Sequence, residues 1–336
     1  MQSEMTSQTD TSMQSKMASQ AGTKLQSEIL SQIQEELSLY EAMQRGERYL
    51  QNCGIEDAAV DAWLLLEYVT EISRTKFLLE RKNRMPKPQQ QAYFDLIEKR
   101  GTHIPLQHLT GVQEFMGFSF LVNEHVLIPR QDTELLVEEA LKRLKPGMRL
   151  LDLCTGSGCI AVSLALLAEE RIKRFPTERK AQQSQQDRSI YVDASDISAD
   201  ALCVAEKNVA ALGVPVQLIR SDLFEKITEK YDIIVSNPPY IRTAVIEELA
   251  EEVKSHDPFL ALDGKEDGLY FYRRIVEKSP EYLKNGGYLL FEIGHDQGQE
   301  VSALLRTRGF EQVQVYRDLA GLDRVVVGMW TLENDC

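Results

Sequence analysis

The sequence predicts an α/β protein with a mostly parallel seven-stranded sheet, preceded by a small N-terminal helical domain and a β-hairpin linker. Three observations carry this expectation. Strand-like and helix-like segments alternate after Pro129, the first of those strands runs into a glycine-rich turn that opens a helix, and before Gly101 the apolar residues recur at helical spacing.

Residues 1–27 are rich in Ser, Gln, Thr and Met and hold few large apolar groups. Such a stretch buries too little surface to offset its ordering entropy and is expected to be disordered. A helical domain is expected over 28–110. Ile29, Ile33, Leu37 and Tyr40 recur at three- and four-residue spacing, with Tyr49 and Leu50 following. A second helix is expected from near Asp57, with Val60, Trp63, Leu64 and Tyr68, and a third over Gln89 to Lys99. The linker is placed at 111–127, with a hairpin read from the alternation in Gly117 to Val126.

The α/β domain is expected over 128–336. Its first helix is read from about Thr133 to Leu144, N-capped by Asp132 and stopped at Lys145-Pro146-Gly147. The strands are expected at Arg149–Leu153, Ser189–Ala194, Val216–Arg220, Tyr231–Ser236, Tyr288–Ile293, Gln312–Tyr316 and Arg324–Trp330. The Lys/Arg/Gln-rich run Arg171 to Arg188 reads as a surface insertion.

Composition narrows the functional classes. The chain has 336 residues, 43% of them hydrophobic, and no apolar run long enough to cross a bilayer. Its net charge of −14 would repel a phosphate backbone, which argues against direct binding of nucleic acid. Five scattered cysteines without C-x-x-C spacing read as reduced thiols, pointing to a cytoplasmic protein, and no metal site is suggested.

The chemistry-bearing residues fall at strand ends. Leu151-Asp152-Leu153-Cys154-Thr155-Gly156-Ser157-Gly158 is a strand entering a glycine loop, where α/β sheets bind nucleotides. Asp196, at the end of the next strand, is placed to accept from both ribose hydroxyls, with Asp193 as a competitor. Asp222 is placed to accept from an adenine amine with Leu223 against the ring, or alternatively to cap a helix. Asn237-Pro238-Pro239-Tyr240 follows the fourth strand as a stiff, extended turn. The Asn237 side-chain oxygen and the Pro238 carbonyl can each take one hydrogen of a planar –NH2 group, and the Tyr240 ring can lie against its plane. An amide nitrogen is a poor nucleophile, and holding both its hydrogens aims its density at an electrophilic methyl.

With these residues in place, the sequence resembles the class I, Rossmann-like methyltransferases that modify amino or amide nitrogens. More narrowly it resembles the release factor glutamine methyltransferase (PrmC/HemK) family. The closer likeness lies in Ile104-Pro105-Leu106-Gln107-His108-Leu109-Thr110-Gly111, in Phe115-x-Gly117-x-x-Phe120 and in Val126 to Glu134. It extends to Asp257-Pro258-x-x-Ala261-Leu262-x-Gly264 and Asp267-Gly268-Leu269. The resemblance implies that Cys154, Thr155, Gly156, Ser157, Gly158, Asp196, Leu223 and Asn237 contact S-adenosylmethionine as methyl donor. It further implies that Asn237 to Tyr240 hold the substrate glutamine, which in that family belongs to the Gly-Gly-Gln loop of class 1 peptide chain release factors, and that the helical domain helps dock the factor. Cys154 stands where glycine is common and Leu223 where an aromatic is often found. The rival readings are a glutamine methyltransferase of ribosomal protein L3 and an amino-methyltransferase of nucleic acid bases.

Overall fold

A computed structural model describes residues 36–174 and 189–332, so the N-terminal extension, the helical pattern at Ile29 and Ile33 and most of the insertion lie outside the described residues. The chain divides into two compact units between Thr110 and Gly111.

The first unit is a set of helices: α1 (Leu39–Asn52), α2 (Ala58–Thr70), α3 (Arg74–Glu80), α4 (Lys87–Gly101) and α5 (Leu106–Thr110). Helix α1 starts where it does because Ser38 and Glu41 form a capping box, each side chain serving the other's backbone amide. Leu37 therefore lies before the helix rather than within it, and its side chain is buried. In α2 half of the expected apolar stripe faces the core, Trp63 being buried and Leu64 packed against it. Val60 and Tyr68 are about half exposed, while Ala58, Asp61, Ala62, Leu65 and Leu66 face the core. The helix is apolar on most of its surface, so spacing alone could not exclude Val60 and Tyr68 from the buried face. Asp61 is buried because Arg100 of α4 pairs with it at 2.6 Å.

The second unit opens with a hairpin, β1 (Val112–Phe115) and β2 (Phe118–Leu121). Its turn is Met116-Gly117, both at positive φ, so Gly117 closes the hairpin instead of beginning it. The expected hairpin over Gly117 to Val126 was thus displaced by one strand. A short 3₁₀ turn, Gln131–Thr133, leads into α6 (Glu134–Arg143). Asp132 lies inside that turn and does not cap α6; its carboxylate pairs with Arg324 at 3.0 Å.

The seven-stranded sheet follows, with β3 (Arg149–Leu153), β4 (Tyr191–Asp196), β5 (Val216–Arg220), β6 (Tyr231–Ser236), β7 (Leu283–Glu292), β8 (Glu311–Arg317) and β9 (Asp323–Trp330). Its order is β5-β4-β3-β6-β7-β9-β8. The five strands from β5 to β7 are parallel, and β9 and β8 complete the edge antiparallel. The helices α7 (Cys159–Arg174), α8 (Ala199–Leu212), the short α9 (Thr243–Ile246), α10 (Glu251–His256) and α11 (Phe259–Leu262), then α12 (Tyr270–Tyr282) and α13 (Gly298–Arg308), connect the strands. This is the Rossmann-like class I methyltransferase architecture. Successive residues pack on opposite faces: Leu150, Ile233, Leu290 and Val325 in one core, Leu151, Ile234, Leu289 and Val326 in the other. The central strands read as continuous apolar runs because both faces are covered. Among the described residues, no helix is long and apolar enough to cross a membrane.

Candidate functional site

The order β4-β3-β6 places three strand ends side by side, which is where an open parallel sheet leaves a crevice. A cavity of about 310 Å³ opens there. Its lining includes Cys154, Thr155, Gly156 and Ser157 after β3, Asp196 at the end of β4, Asp222 and Leu223 after β5, and Asn237 and Pro239 after β6.

The loop after β3 is held from below. Thr155 donates through its hydroxyl to the fully buried Asp152, and the Thr155 amide donates to the Ser195 carbonyl at 3.0 Å. Burial pushes the Asp152 carboxyl up to about 7, with the Thr155 hydroxyl opposing the shift. Gly156 adopts φ +56 and donates its amide to Asp196 Oδ2 at 2.9 Å. Asp196 Oδ1 takes the Ser198 amide, also at 2.9 Å. Burial raises the Asp196 carboxyl, while the Ser198 and Gly156 amides stabilise its charge. Each carboxylate oxygen keeps a further lone pair for a ligand hydroxyl. Asp193 sits elsewhere, buried and accepting from the Tyr231 hydroxyl at 2.8 Å, and it does not line the cavity.

Several expected roles change. Gly158 has positive φ but does not line the cavity; a Cβ there would meet Ala205 Cβ of α8 at 3.3 Å, so its smallness serves helix packing. Asn208 of α8 completes that packing by donating to the Ser157 and Leu121 carbonyls. Asp222 lines the cavity without capping a helix. Arg274 donates to both of its oxygens at 3.0 Å. Cys154 and Leu223 both occupy the left-handed region, at φ +60 and +47. That conformation explains why glycine suits position 154.

In the Asn-Pro-Pro-Tyr turn, Asn237 and Pro239 line the cavity, whereas Pro238 and Tyr240 are not among its lining residues. The Tyr240 hydroxyl reaches Glu292 Oε1 at 3.4 Å, and burial drives its pKa upward. The hydroxyl therefore helps anchor the turn. The Tyr240 carbonyl accepts from Gln297 Nε2 at 3.0 Å. Residues 257–268 wrap the same turn, since Ile241 and Gly264 exchange backbone bonds with Leu262 and Ile241. Arg130 joins the two outer segments by pairing with buried Asp257 at 2.8 Å.

Sequence reading missed Glu292, Thr133, Gln297 and Arg274. Glu292 offered a signal: an acid within the apolar run Tyr288–Ile293, where an unpaired charge would not be tolerated. It is 2% exposed, and burial pushes its carboxyl up to about 7 against the pull of Thr133 and Arg324. The others are recognisable only through partners distant in sequence. Chemically, the cavity combines a carboxylate for a vicinal diol, apolar walls including Ile160 and Phe271, and an amide turn at one side.

Two family models match the chain: "PrmC N-terminal domain" over residues 41–111 and "Methyltransferase small domain" over residues 180–265. Among curated proteins, the chain is 37% identical over 300 residues to a release factor glutamine methyltransferase of Clostridium acetobutylicum, covering 87% of this chain and 99% of the relative. It is 40% identical to the one from Agrobacterium fabrum, covering 82% and 92%. A solved structure described as protein-(glutamine-N5) methyltransferase (release factor-specific), from Alicyclobacillus acidocaldarius, is 32% identical, covers 63% of this chain and 100% of its own, and has a TM-score of 0.35.

Proposed function

The chain belongs to the release factor glutamine methyltransferase family, and on that premise we propose that it methylates the side-chain amide nitrogen of the glutamine in the Gly-Gly-Gln loop of a class 1 peptide chain release factor. The donor in this reading is S-adenosylmethionine, which supplies a sulfonium-activated methyl group.

The observation that carries the reading is the single cavity shared by Asp196, the Thr155–Gly156 loop and Asn237. Asp196 fits the ribose diol: its two oxygens are fixed by the Gly156 and Ser198 amides and retain lone pairs. Leu223 and Phe271 offer apolar surface for the base, and Asp222 can still accept from an exocyclic amine while Arg274 holds it. These residues answer the chemistry of a nucleoside donor.

Asn237 and the Pro238 carbonyl then take the two hydrogens of the substrate amide. With both hydrogens held, the nitrogen lone pair is oriented towards the methyl carbon and the amide cannot rotate away. The nitrogen forms the new C–N bond as the C–S bond breaks and its electron pair returns to sulfur. The extra proton on nitrogen leaves to water after transfer, so no general base has to stand beside the nucleophile. Tyr240, Gln297 and Gly264 hold the turn in shape.

The test is transfer of labelled methyl from S-adenosylmethionine to purified release factor, with ribosomal protein L3 and total nucleic acid as parallel acceptors. Label on the release factor is the expected result, and label confined to either other acceptor would refute the assignment.

A further inference from the structure

A second cavity, of about 300 Å³, lies beside the first, and Asp222, Leu223 and Arg274 line both. Arg274 donates to the two Asp222 oxygens at 3.0 Å each, so the partition between the cavities includes an ion pair of two side chains. About a third of each is exposed, 34% for Arg274 and 30% for Asp222, and solvated ion pairs give way at little cost. In the donor reading Asp222 accepts from the exocyclic amine of the base, so a group carried on that amine meets this partition.

Beyond the partition the floor is apolar and aromatic. Leu223 and Phe224 are buried, and Phe224 stacks on half-buried Tyr282 with centroids 4.6 Å apart and planes 12° apart. The Tyr282 hydroxyl donates to the Phe224 carbonyl at 3.4 Å, which ties the ring to the backbone after β5. The rim is charged, with Glu225, Glu277 and Lys278 exposed. Lys278 pairs with Glu281 at 3.2 Å, which leaves the rim with an excess of negative charge. A cavity of about 150 Å³ is enough for a benzene-sized ring, and this one has about twice that volume.

We propose that the second cavity is a subsite of the donor site, and that it takes a neutral apolar substituent on the exocyclic amine of the donor's base. This inference rests on the proposed placement of the base at Asp222. An amine with one substituent keeps one hydrogen for Asp222, so the substituted nucleoside leaves no acceptor unmet. The substituent gains apolar and aromatic contact with Leu223, Phe224 and Tyr282. A carboxylate at its far end is disfavoured, because Glu225 and Glu277 repel it and Arg274 is already engaged by Asp222.

The experiment measures Kd by calorimetry for three ligands: S-adenosylhomocysteine, its derivative benzylated on the exocyclic amine, and the same derivative with a carboxylate at the para position of the benzyl ring. Wild type is compared with Tyr282→Ala, Glu277→Lys and Asp196→Ala, each derivative being read relative to the parent in the same protein. In wild type the benzyl derivative is expected to bind within about tenfold of the parent, and the carboxylate derivative about tenfold or more below the benzyl one. Tyr282→Ala weakens the benzyl derivative relative to the parent, and Glu277→Lys closes the gap between the two derivatives. A benzyl derivative bound about 100-fold or more below the parent overturns the proposal. So does a benzyl derivative that binds well but responds to neither variant, since its ring then lies elsewhere. Should Tyr282→Ala fail to fold, Glu277→Lys decides, because it changes an exposed position. A parent compound that does not bind, or whose Kd is unmoved in Asp196→Ala, removes the donor reading itself. A parent that binds beside an excluded benzyl derivative removes only the subsite.

Discussion

Gly264 lies so close to Tyr240 that a Cβ added at position 264 would come within 2.7 Å of both the Tyr240 Cα and its carbonyl carbon. Backbone atoms in a turn rigidified by two prolines cannot retreat from such a contact. Gly264→Ala is therefore expected to destabilise the protein by about 1–3 kcal/mol, as overpacking does. The displaced turn should also lose kcat more than it loses binding of S-adenosylhomocysteine. Thermal unfolding and calorimetry check the two halves separately.

Asp196 and Asp193 are three residues apart on β4 but face different partners, and their variants should separate cleanly. Asp196→Ala removes a charged acceptor from the cavity and the brace on Gly156. The Kd for S-adenosylhomocysteine is expected to rise by roughly 10- to 100-fold, since hydrogen bonds to charged groups contribute about 1.5–3 kcal/mol. Asp193→Ala strands the Tyr231 hydroxyl in the core and should cost about 1–3 kcal/mol of stability with little change in that Kd. An unchanged Kd in Asp196→Ala would remove Asp196 from the donor site.

Cys154 occupies φ +60 at the head of the glycine loop. Glycine takes this conformation freely and a β-branched residue takes it worst. Cys154→Gly should leave stability within about 1 kcal/mol of wild type, because relief of strain offsets the added chain entropy. Cys154→Val should cost about 2 kcal/mol or more and weaken donor binding. Equal melting temperatures for the two variants would show that the backbone there is not strained.

The parallel strands were legible in the sequence because each is a short apolar run bounded by turn residues. The observed bounds of β3, β5 and β6 are those expected from it. Strand ends also drew notice to Thr155, Asp196 and Asn237, which the fold brings to one cavity. What sequence could not supply were contacts between distant segments. Asp132 looked like a cap because Arg324, its partner, lies far along the chain. Asp222 looked free because Arg274 lies 52 residues on. The physical sense of Gly264 lies in its approach to Tyr240, and that of Asp257 in its pairing with Arg130, 127 residues away in the sequence.

Stability should depend on pH through Glu292 and Asp152, both pushed up to about 7 by burial. The folded protein then binds protons more tightly than the unfolded chain. Their contribution is fully present below the ordinary carboxyl range and is lost as pH rises through about 7. The melting temperature is expected to fall between pH 5.5 and 8 in wild type and to fall less in Glu292→Gln. Identical slopes in the two proteins would show that Glu292 is not protonated in the folded state near neutrality.

The most direct test is to locate the methyl group. Release factor methylated by this enzyme is digested and sequenced by tandem mass spectrometry, alongside a variant whose Gly-Gly-Gln glutamine is alanine. A single methyl on that glutamine's side-chain nitrogen, absent from the variant, is the predicted result. Methylation at another residue, or equal labelling of the alanine variant, would contradict the account.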